Sequence, residues 1–388
     1  MPVIAPAVKL LRPTWAEISL PKLRNNYQRV RRLAGTRKVM AVVKADAYGH
    51  GAVPIARELA AAGVDALGVA TVEEAIEMRE AGIHLPILLL GGLYMSDPAD
   101  LLEYHLTPTV SSTARLDTYA ACARRYGRTI EFHLKLDTGL GRLGLPPDRL
   151  RAFIEHYREL EGLELKGFFT HFASAEDRLA TQTDDQLAIF ARGLAELRSL
   201  GVEPEWIHLS NSAALVTHRH FPEENLVRIG ALLYGYCVPI LSLPGEAPPN
   251  LSEFEPILSF KSRVVFLKDV PAGSPLGYGG AFHTRRPSRI ATVPVGYADG
   301  LSRGLSNRGH ALIRDRLARI VGAISMDLSL FDVTDIPGVE VGDEVILLGR
   351  SEHHSITALD VAAQLDTVPY EVLCSIGRRV PRLYLDQE

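Results

Sequence analysis

Short apolar runs alternate with longer amphipathic stretches through the first two thirds of the chain. The runs are Val39–Lys44, Ala66–Ala70, Ile87–Leu90, Leu106–Val110, Ile130–Leu136, Leu165–Phe169, Trp206–Leu209 and Leu226–Ile229, eight in all. Their length and apolarity suit buried strands. Between them lie stretches rich in Ala, Leu, Glu and Arg, such as Val53–Ala62, Val72–Ala81, Ser112–Arg125, Pro147–Leu160 and Asp184–Leu200. These read as helices, as does the basic amphipathic stretch Lys22–Ala34, with Ser19 as its N-cap and Pro21 in its first turn. Strands alternating with helices predict parallel βαβ units. The fold class expected is α/β: a (β/α)8 TIM-type barrel over residues 16–240, followed by a mostly-β domain over 241–388. A doubly wound open sheet is the alternative, but no GxGxxG phosphate loop follows the first run.

The pattern breaks after Pro239. Pro239, Pro244, Pro248, Pro249 and Pro256 mark a linker. Beyond it, short apolar runs are separated by Pro271-Ala272-Gly273, Ala298-Asp299-Gly300, Asn307-Arg308-Gly309, Pro337-Gly338 and Gly342-Asp343, the spacing of an all-β domain. One helix-like insert, Ile356–Leu365, interrupts it. Residues 1–15 read as an arm expected to pack on this β domain.

Composition narrows the class without choosing a function. The chain is 47% hydrophobic and 23% charged, with a net charge of −4, so no nucleic-acid or anionic-membrane partner is expected. Cys122, Cys237 and Cys374 form no CxxC pair, and neither a zinc site nor a disulfide framework is expected. No apolar run is long enough to span a membrane, and residues 1–11 lack a signal-peptide pattern. A cytoplasmic setting is the expectation.

Candidate chemistry collects where the apolar runs stop, which in a barrel is the catalytic face. Lys44 ends the first run and enters Ala45-Asp46-Ala47-Tyr48-Gly49-His50-Gly51. A lysine at the lip of a buried strand either snorkels to water or has a lowered pKa suited to Schiff-base chemistry. The fifth run leads into Lys135-Leu136-Asp137-Thr138-Gly139-Leu140-Gly141-Arg142, the sixth into Thr170-His171, the seventh into Ser210-Asn211-Ser212, and the eighth into Arg228-Ile229-Gly230-Ala231. Singly, each has a plainer reading: His171 a structural histidine, Asn211-Ser212 a helix N-cap, Arg228 a surface charge. Jointly, a hydroxyl at Ser212 and small residues at Gly230-Ala231, after strands seven and eight, suit a phosphate. A lysine that reaches the carbonyl carbon of a phosphorylated cofactor describes pyridoxal phosphate.

The stretch Val42–Gly51 resembles the lysine motif of the alanine racemase family, and the resemblance runs from Thr14-Trp15-Ala16-Glu17-Ile18 to Arg379-Val380-Pro381-Arg382. It implies an enzyme that interconverts L- and D-alanine on pyridoxal 5'-phosphate by a two-base mechanism and supplies D-alanine for peptidoglycan. Lys44 then stands at the Schiff-base position and serves the D-face, with Tyr278, in Gly277-Tyr278-Gly279, as the L-face base. Tyr48, Asn211, Ser212, Gly230, Ala231 and Tyr370 become cofactor contacts, with His171 behind the ring and Arg228 at the pyridine nitrogen. Arg142 is placed near the substrate carboxylate, and Tyr297, Met326 and Asp327 at the substrate entrance. Lys135 resembles a lysine that is carbamylated in many members. The resemblance further implies a head-to-tail homodimer with shared sites. Leu328 stands where the family usually has Gln, and Ser325 where Cys is frequent, which touches the entrance rather than the two bases.

Three other readings are weighed. A racemase of another small amino acid, such as serine, would share every feature above. A barrel-fold amino-acid decarboxylase would pair the pyridine nitrogen with an acid and use a catalytic cysteine. A non-catalytic pyridoxal-phosphate-binding barrel would lack both the β domain and Tyr278.

Overall fold

The structure, a computed structural model, describes residues 11–387. Two compact units emerge among the described residues: residues 23–47 and 52–255 form one, and residues 11–22, 48–51 and 256–387 the other.

The first unit is a parallel barrel. Its strands are β1 (Lys38–Val42), β2 (Ala66–Val69), β3 (Ile87–Leu89), β4 (Thr107–Val110), β5 (Ile130–Lys135), β6 (Leu163–Phe169), β7 (Trp206–His208) and β8 (Leu226–Ile229). All eight apolar runs are strands. Each pairs in parallel with the next from β1 to β7, and β1 also pairs with β8. The remaining seam, between β7 and β8, is held by Asn225 N–H to Ile207 O (3.1 Å) and Arg228 N–H to Ser210 O (3.0 Å). The Asn225 side chain accepts from Ile207 N–H at 2.9 Å across the same seam. The helices follow the amphipathic stretches. Val72–Glu80, for example, opens on a capping box in which Thr71 and Glu74 satisfy each other's backbone N–H groups.

Residues two apart on a strand share a face, and this rule orders the barrel interior. Met40, Ala66, Leu88 and Leu226 form a buried apolar layer, with Trp206 packed against it. One step further along the same faces lie Arg228 on β8 and His208 on β7, with His133 and Lys135 on β5. All four are buried. The barrel core is therefore apolar at the strand starts and cationic or imidazole-lined towards the strand ends.

The second unit is built on one large sheet, antiparallel but for one pair. Its order is Phe266–Val270, Ser288–Val293, Ser329–Asp332, Arg316–Ile320, His310–Ile313, Glu344–Arg350, Leu258–Arg263, Thr14–Ser19 and Arg382–Leu385. The last two strands run parallel. The helix expected near the C-terminus is Ala358–Leu365, and a second, Pro369–Cys374, follows it.

Two local differences from the sequence reading stand out. Ala16, the expected start of the barrel, lies in Thr14–Ser19, which pairs with Leu258–Arg263 in the β sheet. A single strand's alternation sets which face is buried, not which sheet it joins. Likewise, the apolar run Val39–Lys44 outlasts its strand, since β1 stops at Val42. The arm's residues 1–10 lie outside the described residues. Its next residues contact the β unit: Arg12 donates to Asp299 at 2.5 Å and Thr14 Oγ1 to Pro294 O at 2.7 Å.

Candidate active site

Lys44 begins a turn of unusual hand. Ala45, Asp46, Ala47 and Tyr48 all have φ between 51° and 55°, and Gly49 has φ 81°. L-residues avoid left-handed helical backbone by about 1–2 kcal/mol each, and it seldom extends past single residues. Side chains hold this turn in place. Glu74 accepts from Ala45 N–H at 2.6 Å, and Asp46 accepts from Ala52 N–H at 2.7 Å. Gly49 is required at its end, because a Cβ there would lie 2.4 Å from Leu373 O. Backbone strain of this kind persists where the surroundings over-determine it, and it collects at functional sites.

The strand ends of the barrel bring Lys44, Lys135, Arg142, His171 and Arg228 within electrostatic reach of one another. Burial, then the charges of Arg228 and Arg142, push the Lys135 ammonium down to about 8. Burial and Arg228 hold His171 neutral, well below its ordinary range. Burial lowers Arg228 itself to about 10, so it stays charged at neutral pH. Both its terminal nitrogens are engaged: Nη1 donates to His208 Nδ1 (2.9 Å) and His208 O (2.8 Å). Nη2 donates to Thr170 O (2.8 Å), Leu209 O (3.0 Å) and His171 Nδ1 (3.1 Å). Arg142 is exposed, on a loop that Asp137 shapes by accepting from Gly139 N–H (3.1 Å) and Gly141 N–H (3.0 Å).

Beside this cluster the chain offers anion-binding groups. Ser212 Oγ accepts from Leu232 N–H at 3.4 Å, which ties the start of helix Ser212–Val216 to the 3-10 turn Ala231–Tyr234. Gly230 and Ala231 open that turn, whose first N–H groups have no partner within it. Asn211 caps the same helix: its Oδ1 accepts from Ala214 N–H at 2.9 Å.

Three contributors to this region were not singled out from the sequence. Glu224, buried, accepts from Leu209 N–H (2.7 Å), Ser210 N–H (2.6 Å), Ser210 Oγ (2.7 Å) and Arg37 Nη1 (3.1 Å). Gln186 accepts from Ala173 N–H (2.9 Å) and donates to His171 O (3.0 Å), which fixes the chain around His171. His208 stacks on Phe169, with ring centroids 4.4 Å apart. The one sequence hint for Gln186 is a glutamine on the apolar face of its helix.

In the β unit, Tyr48 and Tyr370 meet edge to face at 5.7 Å, and burial pushes the Tyr48 hydroxyl up. Tyr278 sits on a 3-10 turn and is 77% exposed. Gly277 before it has φ 74°, and a Cβ there would lie 2.9 Å from Ala323 N. Tyr297 and Met326 are exposed too, on loops joined by Tyr297 N–H to Ser325 O (3.1 Å) and Ala298 N–H to Met326 O (3.2 Å). Asp327 accepts from Arg379 at 2.6 Å, and Arg379 also pairs with buried Asp299 at 2.8 Å. The Asp327 carboxylate is thus part of a structural ion cluster.

Comparison with known proteins adds to this geometry. Residues 18–238 match the family profile "Alanine racemase, N-terminal domain", and residues 257–384 match "Alanine racemase, C-terminal domain". The chain belongs to the alanine racemase family. An alanine racemase of Halothermothrix orenii is 42% identical over 377 residues, covering 97% of this chain and 98% of the relative. Among solved structures, an alanine racemase of Clostridium difficile 630 superposes with a TM-score of 0.88 at 36% identity, covering 97% of each chain. An alanine racemase of Bartonella henselae, solved with covalently bound pyridoxal phosphate, gives 0.83 at 30% identity, covering 96% of this chain and 99% of that one. Family membership agrees with the barrel and the β domain. Among the described residues no helix is long and apolar enough to cross a membrane.

Proposed function

We propose that this chain is a pyridoxal-phosphate-dependent alanine racemase, an isomerase that interconverts L- and D-alanine. The observation that carries the reading is the convergence of Lys44, Lys135, His171 and Arg228 at one end of the barrel. The donor set fits the cofactor. A strand-end amine can bind its carbonyl carbon, and the Ser212 hydroxyl with the N–H groups at Gly230-Ala231 can hold its phosphate. The cationic surroundings favour its negative charge. Tyr48 and Tyr370 complete the phosphate contacts by resemblance.

Bound pyridoxal phosphate would draw off the electron pair of the substrate's Cα–H bond and make that proton removable. The chain then has to remove a proton on one face and return one on the other. Lys44 Nζ is assigned to the D-face and Tyr278 Oη to the L-face. A proton taken by one is replaced from the other, and the configuration inverts. Arg228 is the group for the ring nitrogen. A guanidinium keeps its own proton, so Arg228 would leave that nitrogen without one and would moderate the electron withdrawal the cofactor supplies. An acid in that place would do the opposite, which argues against a decarboxylase. Arg142 is assigned to the substrate carboxylate, with Tyr297 and Met326 limiting the side chain to that of alanine or serine. Asp327 is assigned, by its pairing with Arg379, to support of that loop rather than to the substrate.

The reading includes a homodimer with shared sites, supported by the exposure of Tyr278, Tyr297 and Met326. It also includes a cytoplasmic setting, which the free thiols of Cys122, Cys237 and Cys374 suit. The product D-alanine is assigned to peptidoglycan synthesis. The test is to incubate the cofactor-loaded protein with a panel of L-amino acids, separate the products by chiral chromatography, and fix the cofactor with borohydride. D-alanine should form fastest, D-serine more slowly, and the label should map to Lys44. A label on Lys135 or Lys166, or efficient racemisation of lysine or arginine, contradicts the reading.

A further inference from the structure

The barrel unit holds a cavity of about 380 Å³ whose lining includes neither Lys44 nor Arg228. One wall is the helix Leu20–Ala34, through Arg29 and Arg32. The others come from Arg178, from Thr217 and His218 past the end of helix Ser212–Val216, and from residues 247–254 of the proline-rich segment. None of its lining residues has a place in the candidate racemase site.

Its charge is one-sided. Arg29, Arg32 and Arg178 face a single lining carboxylate, Glu253, whose Oε2 lies 3.9 Å from Arg29 Nε. Arg178 also pairs with Glu246, which does not line the cavity. Two guanidinium nitrogens, Arg29 Nη1 and Arg178 Nε, are buried without a hydrogen-bond partner among the described residues. Buried polar groups without partners are few in folded proteins, and an unseen water or ion is a standard reason for one. Both belong to arginines that line the same cavity.

We propose that this cavity binds a small oxyanion, either a phosphate ester or a carboxylate. Guanidinium groups present paired N–H donors that match carboxylate and phosphate oxygens two at a time. With Glu253 beside Arg29 and Glu246 paired with Arg178, one positive charge is left over, so the site is matched by an anion. The volume lies within the range of small-molecule sites. Asn250 and the hydroxyl of Thr217 add polar groups to orient the ligand. A bound anion would tie residues 247–254 to the helix Leu20–Ala34. The inference does not depend on the racemase reading, because the two sites share no residue.

The test uses the full-length protein as purified, dialysed free of excess cofactor and titrated calorimetrically at low ionic strength. Pyrophosphate is one probe and citrate the other. The expected result is saturable binding of one equivalent, weakened about tenfold or more when Arg29→Ala or Arg32→Ala removes a charge-assisted pair of hydrogen bonds. Binding of pyrophosphate alone assigns the phosphate-ester class, binding of citrate alone the carboxylate class, and binding of both a general oxyanion site. Arg32→Gln alters an exposed side chain and keeps the test meaningful if Arg29→Ala does not fold. Absence of saturable heat with either probe overturns the proposal. So does binding that Arg29→Ala and Arg32→Gln leave unchanged, which would place the anion elsewhere, including the Ser212 region.

Discussion

Arg228 donates from Nη1 to Nδ1 of His208 at 2.9 Å, with both side chains buried. A guanidinium only donates, so His208 Nδ1 carries no proton and the neutral ring is the Nε2–H tautomer. Nε2 lies 2.8 Å from His133 Nδ1, which is therefore the acceptor. One buried cation sets the proton positions of two imidazoles. Burial and that same charge hold His208 well below its ordinary range and push His133 down to about 3. Nitrogen NMR of labelled histidines should show His208 as the Nε2–H tautomer, unchanged from about pH 5 to about pH 9. In Arg228→Gln the His171 and His208 titrations should move upward, and racemase activity should fall roughly 10²- to 10³-fold, the scale of a lost preorganised electrostatic group. An Arg228→Gln enzyme with near-normal activity would remove Arg228 from the mechanism.

Glu224 clamps the chain that leads into Asn211 and Ser212. Its carboxylate accepts from two backbone N–H groups, the Ser210 hydroxyl and Arg37. Glu224→Ala should destabilise the protein by roughly 3–5 kcal/mol, as expected when one partner of a buried ion pair is removed. Glu224→Gln keeps acceptor capacity but loses the charge, and should weaken cofactor binding more than it lowers turnover of the loaded enzyme. Urea denaturation and a cofactor titration followed in the visible measure the two effects. A Glu224→Ala protein of unchanged stability and cofactor affinity would show the clamp to be dispensable.

The unmodified Lys135 amine is partly neutral near pH 8, because its pKa is pushed down to about 8. At pH 7.5 roughly a quarter of it is uncharged, against about 0.1% for an ordinary lysine. Only the neutral amine reacts with carbon dioxide, so Lys135 is the lysine expected to become a carbamate. Labelled bicarbonate should give a carbamate carbon signal that Lys135→Ala abolishes. In bicarbonate-free buffer the unfolded chain binds the extra proton between about pH 8 and about pH 10.5. The penalty of burying the ammonium is fully present below that window, so Lys135 should contribute rising stability across it. A Lys135→Met protein that gains stability just as steeply over that range would show that another group is responsible.

Lys44 and Tyr278 are proposed to act from different chains of one dimer. Lys44→Ala and Tyr278→Phe should each be nearly inactive alone. In a mixed two-fold dimer one site receives both lesions and the other neither. Random exchange in equal amounts makes half of the dimers mixed, so activity should recover to about a quarter of wild type. If subunit exchange is shown by mass and no activity returns, the shared-site arrangement is wrong and each chain must supply both bases itself.

The eight barrel strands, the change to β structure past the proline-rich segment, and the strand ends that carry Lys44, Lys135, His171, Ser212 and Arg228 are legible in the order of residues along the chain. These are local properties. Which face is buried and where a polar residue interrupts an apolar run are written in the periodicity of neighbouring residues. That Thr14–Ser19 joins Leu258–Arg263 and Arg382–Leu385 emerges only on folding, because strand pairing depends on residues hundreds of positions away. So does the left-handed turn after Val43, since Ala45, Asp46, Ala47 and Tyr48 carry no intrinsic preference for it. Side chains distant in sequence, such as Glu74, impose that backbone. Glu224 and His208 were illegible for the same reason. A carboxylate or an imidazole acquires its role from the groups folding places around it, and a buried charge is tolerated only where those groups satisfy it.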